Sequence, residues 1–514
     1  MLKSFSLAAA LVLSTGFSYS QDKFWIFLKD KDIQNYDYHI NLSEQTIRNR
    51  TLLNIPLEQY TDIPVNAEYM SALSKQGAKI VNYSKWLNAV SARLTADEFE
   101  KIRKNEFVID IIPIDKRIMT TGTVTDLKPE YFSIALSQMQ GQLFGDDKIS
   151  GTGVQVGVID AGYYKARTDK YLTHLFNERR IIAQRDFIDI SRKDLVDDSF
   201  PDSDYHGRIV LDMIIGYDPI DKTQVGMAVN ADIYLARTEN GAHEYRGEED
   251  NWVRAMEWMD SMGVRLINTS LGYAIKMDDP NENYKQTDMN GKTTIITKAA
   301  QIAVDQKGIF LVVSAGNEGD NDEWKIISAP ADAQGVLSVG ATRDKVWNRI
   351  GYSSIGPEFL PYMKPNVSCF SPNGTSFSAP AIAGFVACMM QKNPSLTNKQ
   401  LFDVIQKSGH LYPYGNNYIG YGVPQASRAK ELLSNPAATF NNTLEKRVKG
   451  KKVVLKFQCD VNEAAVLFHK KSEIIVVEQS TALVKNGKLK LKRKDGISRT
   501  TVAVGSTIVE VFWN

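Results

Sequence analysis

The middle of the chain alternates short apolar runs with longer segments in which apolar residues recur at helical spacing. A short, mostly apolar run fits a buried strand, and recurrence every three to four residues fits a helix packed on one face. The predicted strands cover residues 154–160, 231–236, 264–268 and 308–313, and the predicted helices cover residues 206–215, 250–262 and 294–307. This alternation predicts an α/β fold, a mostly parallel sheet flanked by helices, with ligands at the carboxyl ends of the strands.

Residues 381–390 form an apolar run with no polar side at helical spacing, which predicts a helix buried all round. Signals for a helix start come just before it. Gly374 permits a tight turn, Thr375 is a candidate cap, and Pro380 is expected in the first turn. Ser376 is therefore predicted at a helix N-terminus, beside unpaired N–H groups and the positive end of the helix dipole.

The region before residue 115 follows a different pattern, typical of a small α+β unit. Strands are predicted at 24–28, 78–83, 86–94 and 108–114, and helices at 67–76 and 95–104, the second with Thr95 as cap and Glu98 closing a capping box. The resulting β-α-β-β-α-β order is ferredoxin-like. Residues 116–129 have no hydrophobic period and are predicted to be an exposed linker that is open to cleavage.

From about residue 436 the pattern changes to short strands only, which predicts a small all-β domain. Asn486-Gly487 is a hairpin turn signal. Residues 436–514 carry 15 Lys and Arg against 7 Asp and Glu, and lysine alternates with leucine in residues 488–492. Such a strand is typical of a solvated face or a protected sheet edge, with binding of a polyanion or a cell surface as the second interpretation.

The first residues have the pattern of a secretory signal peptide. A positive start, an apolar segment from Leu7 to Phe17 and the small residues of Ser18-Tyr19-Ser20 predict removal of residues 1–20. The apolar segment is too short to span a membrane, and no other stretch approaches that length. Three cysteines cannot form a disulfide framework, and a net charge of +1 gives no argument for nucleic acid. The protein is predicted to be secreted, either to a periplasm or out of the cell.

A serine becomes a strong nucleophile only when a base takes its proton and a third group orients that base. Among six histidines, His206 starts a predicted helix of the α/β region, and Asp160 ends a buried strand. Asn317 lies in a glycine-lined turn after another strand, where its amide could donate to an oxyanion. Taken singly, each of these residues fits a cap or a turn stabiliser better than a catalytic group.

Together, four motifs in order along the chain resemble the subtilisin-like serine peptidases, the subtilases. They are Val158-Ile159-Asp160-Ala161-Gly162, His206-Gly207, Ser314-Ala315-Gly316-Asn317-Glu318-Gly319 and Asn373-Gly374-Thr375-Ser376-Phe377-Ser378-Ala379-Pro380. The order Asp, His, Ser is the one known for that family. The resemblance covers about residues 131–433, and residues 21–119 are similar to the family's inhibitory prosegment in size and element order.

This resemblance implies the roles of the candidate residues. Ser376 would be the nucleophile, His206 the general base and then acid, and Asp160 the group that fixes the imidazole tautomer. Asn317 and the backbone N–H of Ser376 would form the oxyanion hole. The substrate-binding residues would be Ser270, Leu271, Gly272, Ser314, Ala315 and Gly316. Small residues on both walls of the pocket, Gly272 on one and Ser314, Ala315 and Gly316 on the other, predict an open pocket for large apolar side chains.

The sequence therefore predicts a secreted serine endopeptidase that works through an acyl-enzyme and is made as a self-processing zymogen. Its expected parts are a signal peptide at 1–20, an inhibitory propeptide at 21–119, a peptidase domain at 120–435 and a C-terminal β domain at 436–514. Its expected partners are polypeptide substrates and its own prosegment as an intramolecular inhibitor. No nucleic acid, transmembrane segment or metal ligand is predicted, and structural calcium stays open as a cofactor.

Two features depart from the family's pattern. A small hydroxyl residue usually follows His-Gly, whereas Arg208 stands here and could either pair with a carboxylate or narrow the cleft. Asp197, Asp198, Asp202 and Asp204 crowd the approach to His206. That loop could bind calcium or favour basic substrates, but it lacks the glycine and terminal glutamate of a helix-loop-helix calcium site, which favours a solvated acidic loop.

Two alternative functions remain at this point. One is a catalytically inactive subtilase-fold scaffold with a C-terminal binding domain, which only Arg208 supports. The other is a serine-carboxyl peptidase, which shares a Gly-Thr-Ser motif but uses acidic residues where this chain has His206 and Asn317. A pH–rate profile separates the second from a triad, because a neutral imidazole requires a neutral to alkaline optimum.

Overall fold

The computed structural model describes residues 22–34, 36–114, 129–197, 205–239, 248–275, 283–440, 442–458 and 462–514. The predicted signal peptide and almost all of the predicted linker lie outside these ranges. Within them, Cys369 and Cys388 are buried free thiols. No helix in the described part of the chain is long and apolar enough to cross a membrane.

The N-terminal unit is an antiparallel sheet of four strands in the order β2-β3-β1-β4 with helices packed on it. Its elements are β1 Asp22–Leu28, α1 Glu44–Leu52, α2 Ala67–Lys75, β2 Lys79–Ser84, β3 Ala89–Leu94, α3 Ala96–Ile102 and β4 Val108–Ile114. The predicted ferredoxin-like order is confirmed for this sheet and for α2 and α3. Thr95 caps α3, and Glu98 closes the capping box as predicted.

The central unit is built on a seven-stranded sheet in the order β13-β12-β11-β10-β5-β9-β6, in which all six neighbouring pairs are parallel. Its strands are β5 Gln155–Asp160, β6 Ile181–Asp186, β7 Tyr217–Asp218, β8 Thr223–Gln224, β9 Asp232–Arg237, β10 Leu266–Thr269, β11 Phe310–Ser314, β12 Leu337–Thr342 and β13 Val367–Phe370, of which β7 and β8 form a separate short hairpin. The predicted parallel sheet is confirmed, with three strands, β6, β12 and β13, beyond those predicted.

Helices cover both faces of this sheet. They are α4 Pro129–Gln138, α5 Gln142–Asp146, α6 Thr173–Asn177, α7 His206–Ile215, α8 Glu249–Met262, α9 Ile295–Asp305, α10 Thr375–Lys392, α11 Asn398–Ser408 and α12 Ala426–Ser434. The core on one face contains α7 and α10, and the core on the other contains α8 and α9. Fifteen of the 18 residues of α10 are buried, as the apolar run predicts.

The C-terminal unit contains only strands. They are β14 Thr443–Val448, β15 Lys452–Lys456, β16 Glu463–Lys470, β17 Val476–Val484, β18 Lys488–Lys492, β19 Arg499–Val504 and β20 Thr507–Trp513. Five of them form a sheet in the order β14-β20-β19-β16-β17, and β15 pairs with β18 in a separate ribbon. The Asn486-Gly487 turn has positive φ at both residues, as a two-residue hairpin requires.

The lysines of the β15–β18 ribbon lie on one exposed face, as their alternation predicts. They are Lys452, Lys456, Lys488, Lys490 and Lys492. The opposite face of the ribbon is apolar and buries Leu455, Leu489 and Leu491. The inner face therefore fixes the register that brings all five lysines to solvent.

A lysine buried in the central unit gives the fold a pH dependence. Lys364 is 1% exposed, and its Nζ donates to the carbonyl oxygen of Val336 at 2.6 Å. Burial lowers the pKa of Lys364 to about 7, against the partial opposing effect of the Asp332 carboxylate. In the unfolded chain the lysine keeps its ordinary pKa near 10.5, so the unfolded state holds one more proton between about pH 7 and 10.5. The contribution of Lys364 to the free energy of unfolding therefore increases with pH between about pH 7 and 10.5.

We expect Lys364→Met to remove this pH dependence. Between pH 7 and 9 the free energy of unfolding of the unsubstituted chain should gain up to about 1.4 kcal/mol per pH unit relative to the variant. Urea unfolding, performed in a Ser376→Ala background to prevent digestion, measures the difference. Lys345→Met, at an exposed lysine, is the control and should leave the slope unchanged. Parallel pH profiles for Lys364→Met and the unsubstituted chain would contradict the assignment.

Candidate functional site

The four sequence motifs meet at the carboxyl edge of the parallel sheet. Asp160 ends β5, His206 begins α7, and Ser270 follows β10 directly. Asn317 follows β11 by three residues, and Ser376 is the second residue of α10. Because carboxyl ends of parallel strands share one edge of a sheet, residues separated by up to 216 positions in sequence come together there.

Asp160 and His206 form a direct hydrogen bond. Asp160 Oδ1 lies 2.7 Å from His206 Nδ1 and also accepts a bond of 2.9 Å from the N–H of Ala161. The Asp160 side chain is fully buried, whereas that of His206 is 23% exposed. The buried carboxylate therefore holds one imidazole nitrogen, and the ring remains partly accessible to solvent.

Gly207 allows the chain to pass close to the turn after β5. Its N–H donates to the carbonyl oxygen of Gly162 at 2.9 Å, and a Cβ at position 207 would lie 2.5 Å from that oxygen. The glycine thus leaves room for a neighbouring backbone. The contact brings the start of α7 against the turn that directly follows Asp160.

Ser376 is hydrogen-bonded to the segment after β10, and the next residue in sequence lies against His206. The ring of Phe377, its neighbour in sequence, packs against the His206 ring with centroids 5.4 Å apart. Ser376 Oγ donates to the backbone carbonyl of Ser270 at 3.1 Å, and Ser270 Oγ donates back to the carbonyl oxygen of Ser376 at 2.8 Å. This reciprocal pair fixes the start of α10 against residue 270.

Pro380 explains why the Ser376 carbonyl is available. The expectation that Pro380 lies in the first helical turn is wrong, because α10 begins at Thr375 and places the proline inside the helix. A proline has no N–H, so the carbonyl four residues earlier loses its helical partner. That carbonyl belongs to Ser376, and Ser270 Oγ takes the place of the missing donor.

Thr375 does not cap α10 as predicted. The N-cap residue is Gly374, which has no side chain that could cap the helix. Instead, Asn317 Oδ1 accepts bonds from the N–H of Thr375 at 2.8 Å and from its hydroxyl at 3.0 Å. These two bonds use the amide oxygen of Asn317 and leave its Nδ2 as the group available to a ligand. Gly374 has φ of 139°, and a Cβ there would lie 3.3 Å from Asn317 Nδ2.

The six residues predicted to bind substrate lie on two neighbouring segments. Ser270, Leu271 and Gly272 follow β10, while Ser314 ends β11 and Ala315 and Gly316 follow it. Ser270, Leu271, Ser314 and Ala315 are buried, and Gly272 is exposed. The two segments therefore lie side by side, and each is hydrogen-bonded to the start of α10.

Ser328, which belongs to none of the sequence motifs, lies between these two segments. Its N–H donates to the carbonyl of Ala315 at 3.1 Å. Its Oγ lies 2.2 Å from where a Cβ on Gly272 would be and 3.1 Å from where a Cβ on Gly316 would be. The hydroxyl is buried and has no hydrogen-bond partner among the described residues. The loop that contains Ser328 thus places a polar side chain beside both Gly272 and Gly316.

Arg208 pairs with carboxylates. Its guanidinium forms a short hydrogen bond with Asp169 and lies 3.8 Å from Asp212. Burial raises the pKa of Asp212 well above its usual range, with the nearby Asp169 charge acting in the same direction and Arg208 opposing both. Of the two possibilities for Arg208, the ion pair is therefore the one observed.

No group of three or more His, Cys, Asp or Glu side chains within the described ranges could hold a metal ion. Asp197 is described, but Asp198, Asp202 and Asp204 of the predicted acidic loop lie outside the described residues. The interpretation of this segment as a solvated acidic loop stays a prediction, and no step of the chemistry below uses a metal.

Two family profiles match the chain. One, described as the subtilase family (Peptidase S8), matches residues 151–422. The other, described as the Peptidase S8 propeptide domain of Bacteroidota, matches residues 23–126. The first covers the parallel sheet and all four motifs, and the second covers the N-terminal antiparallel sheet.

Curated proteins and solved structures agree with these matches. Subtilisin NAT of Bacillus subtilis subsp. natto is 24% identical over 371 residues, covering 69% of this chain and 85% of that protein. Subtilisin DY of Bacillus licheniformis is 28% identical over 282 residues, covering 52% and 89%.

Two solved structures show the same fold at lower identity. Fervidolysin from Fervidobacterium pennivorans, a keratinolytic enzyme related to subtilisin, superposes with a TM-score of 0.52 at 18% identity, covering 94% of this chain and 71% of that one. The epidermin leader peptide processing serine protease of Staphylococcus aureus gives 0.54 at 13% identity, covering 82% and 100%. At these identities the likeness shows the fold alone.

Proposed function

Because the chain belongs to the subtilase family and is a subtilisin-like serine endopeptidase with a prosegment, we propose that Ser376, His206 and Asp160 perform its peptide hydrolysis. The observation that carries the proposal is the 2.7 Å bond between Asp160 and His206, beside a serine at the start of α10. A buried carboxylate on Nδ1 holds the proton there, so Nε2 is the basic nitrogen.

In the proposed reaction, Ser376 Oγ attacks the carbonyl carbon of the scissile bond while its proton passes to His206 Nε2. The negative charge that develops on the carbonyl oxygen is stabilised by Asn317 Nδ2 and the N–H of Ser376. The C–N bond then breaks, the amine leaves with the proton from His206, and an acyl-enzyme remains. Water, deprotonated by His206, hydrolyses the ester and regenerates Ser376.

The hydrogen bonds around Ser376 support an enzyme that is held ready for this step. Ser376 Oγ donates to Ser270 O, and the proposed reaction requires the hydroxyl to turn from this carbonyl to the imidazole. The backbone of Ser376 need not move, because Ser270 Oγ holds its carbonyl. Arg208, the only support for an inactive scaffold, is engaged by Asp169.

We further propose that the protein is exported and cuts itself from its prosegment within about residues 116–130. The predicted signal peptide at 1–20 and the propeptide match at 23–126 support this. The proposed parts are the propeptide at 21–119, the peptidase domain at 120–435 and the C-terminal β domain at 436–514. The attached prosegment would act as an intramolecular inhibitor, and polypeptides would be the substrates.

A fluorophosphonate probe tests the nucleophile. Such a probe phosphonylates a serine only when a base activates the hydroxyl. We expect one modified site in the processed wild type, at Ser376 by peptide mapping, and no labelling of Ser376→Ala. A folded, processed wild type that remains unlabelled would overturn the enzymatic assignment of Ser376.

The position of Ser328 supports a narrow pocket between residues 270–272 and 314–316, the proposed site for the side chain before the scissile bond. Gly272 and Gly316 alone would suggest a wider one. The hydroxyl lies within contact distance of the space beside both Gly272 and Gly316. A buried polar group without a partner also disfavours an apolar side chain that would seal it from water. We propose that the pocket selects small or polar side chains over large apolar ones, in contrast to the open pocket expected from the sequence.

We expect Ser328→Gly to shift this preference. For substrates with phenylalanine before the scissile bond, kcat/KM should rise about tenfold relative to otherwise identical substrates with alanine, because one added or removed small group in a pocket is worth about 10 to 200-fold. Ser328→Ala, which removes the hydroxyl but keeps Cβ, separates polarity from volume. An unchanged phenylalanine-to-alanine ratio in both variants would place Ser328 outside the pocket.

A further inference from the structure

The sheet of the N-terminal unit, matched by the propeptide profile, packs along α8. Glu257, which is 4% exposed, accepts bonds from the hydroxyl of Ser84 at 2.6 Å and from the N–H of Trp86 at 3.0 Å. Lys23 also pairs with the buried Asp250 at 2.7 Å. This contact explains how the four-stranded sheet binds to the central unit. It does not explain the long connection between β1 and α2.

That connection, residues 29–66, is called the arm here. It carries α1 and two short 3-10 helices, Tyr38–Asn41 and Tyr60–Asp62. α1 packs against α8 of the central unit. Joining β1 to α2 does not by itself require a contact with another unit. The contact of α1 with α8 therefore indicates an additional role for the arm.

Four charged side chains, two from each unit, meet under the arm. Arg50 and Asp62 of the arm pair with each other at 2.5 Å, Arg50 lies 3.3 Å from Asp260, and Asp62 lies 2.6 Å from Lys307. Their side chains are between 0% and 3% exposed. Each unit contributes one positive and one negative charge, and Lys307 and Asp260 of the peptidase also lie 4.0 Å from each other. The arm gives each of these two charges a further buried partner, Asp62 for Lys307 and Arg50 for Asp260.

Neutral hydrogen bonds surround this cluster. Thr46 Oγ1 donates to the carbonyl of Asp260 at 2.9 Å, Asn49 Nδ2 to the carbonyl of Gly263 at 2.7 Å, and Gln59 Nε2 to the carbonyl of Gln306 at 2.9 Å. The backbone also approaches closely. A Cβ on Gly263 would lie 2.7 Å from the backbone N of Thr46, and one on Gly308 would lie 2.3 Å from Ile55.

The arm binds at the edge of the sheet opposite the catalytic residues. Gly263 leads into the amino end of β10, and Gly308 leads into the amino end of β11. Ser270 and Asn317 follow the carboxyl ends of those same strands. Strands of four and five residues, at about 3.3 Å per residue, put the two sites roughly 13 to 17 Å apart. A ligand in the cleft therefore does not compete with the arm for the same atoms.

We propose that the arm is a second attachment of the prosegment to the peptidase, separate from the substrate cleft, which keeps the cut prosegment bound after its new carboxyl end has left the cleft. The proposal rests on the proposed function, in which the prosegment is cut from the enzyme. Cutting and release are then two events, and release requires that the cluster of Arg50, Asp62, Asp260 and Lys307 be opened.

The test uses the full chain with a C-terminal affinity tag. After self-processing, the enzyme is held on resin and washed, and the prosegment that remains is quantified over time by intact mass. Arg50→Met removes one buried ion-pair partner from Asp260 and one from Asp62. Because an uncompensated buried charge is strongly destabilising, the rate of prosegment loss should increase about a hundredfold or more. Arg48→Met is the matched control, because Arg48 lies on the same helix but is 62% exposed, and its rate should equal that of the wild type.

A second variant covers the case in which Arg50→Met does not fold. Asn49→Ala combined with Gln59→Ala removes two neutral donors without leaving a charge buried, and should speed loss about threefold to tenfold per bond. Wild-type retention in this variant and in any folded Arg50→Met would overturn the proposal, as would equal loss in Arg48→Met. Failure of the proposed function looks different, because then no variant is cut and no fluorophosphonate label appears.

Discussion

Replacing Ser376 with alanine is expected to leave the prosegment covalently attached. If Ser376 is the nucleophile for its own chain, the variant cannot form the acyl-enzyme, and kcat should fall by about 10⁶-fold, the loss found when a subtilisin loses its nucleophile. N-terminal sequencing or intact mass should therefore show the wild type starting within about residues 116–130 and the variant starting at the signal-peptide cleavage site. No such cut should accumulate in the variant during days of incubation.

Ser378→Ala is the matched control for this experiment. Ser378 lies two residues further along α10, is buried, and donates its hydroxyl to the carbonyl of Thr375 at 3.0 Å. The same substitution at this position should keep processing and fluorophosphonate labelling. Identical N-termini for wild type and Ser376→Ala would mean that another peptidase makes the cut, and self-processing would be wrong.

Asp160→Asn should slow prosegment cleavage by about 10⁴-fold near neutral pH while the protein stays folded. The amide has almost the same shape as the carboxylate, so the 0% exposed site can still be filled. An amide nitrogen facing His206 Nδ1 would favour the tautomer with its proton on Nε2, and that nitrogen could then no longer accept the proton of Ser376. The loss thus comes from proton placement, with packing unchanged.

The rate is read as the first-order appearance of the cut prosegment, which needs no added substrate. Asp169→Asn is the control, since it makes the same change at a carboxylate that pairs with Arg208. We expect its processing rate to stay within about tenfold of the wild type. An Asp160→Asn rate above one tenth of the wild-type rate would remove Asp160 from the proposed mechanism.

Elements with a strong periodic pattern could be predicted from sequence, and elements held by polar contacts could not. α7 and β4 begin and end where the pattern places them. α1 was missed because its sequence, Glu-Gln-Thr-Ile-Arg-Asn-Arg-Thr-Leu, has little apolar surface. This helix is held through the Arg50 and Asn49 contacts with residues more than 200 positions away, and no local pattern records such partners.

The additional strands of the central sheet are absent from the sequence prediction for a related reason. β13, Val-Ser-Cys-Phe, is fully buried although half of its residues are small or polar. Its neighbour in the sheet, β12, together with α10 and α4, covers residues that would not mark a strand by their own sequence. Strand propensity alone is a weak guide where every side is covered.

The candidate site divides along the same line. Asp160, His206, Asn317 and Ser376 could be proposed because each lies in a short motif and the four occur in a specific order. Ser328 has no such motif, and its place between Gly272 and Gly316 exists only once a loop has returned to the sheet. The role of Pro380 likewise depends on where α10 starts, and a shift of a few residues in that start changes which carbonyl it frees.

The surface beneath the arm distinguishes two forms of one polypeptide. In the precursor, Gly263, Lys307 and Gly308 are covered by residues of α1 and the segment after it. Once the prosegment has gone, these residues and Asp260 form a compact epitope that no precursor molecule presents. An antibody raised against that epitope would bind the mature enzyme and not the zymogen, so it would report when maturation of the exported protein ends.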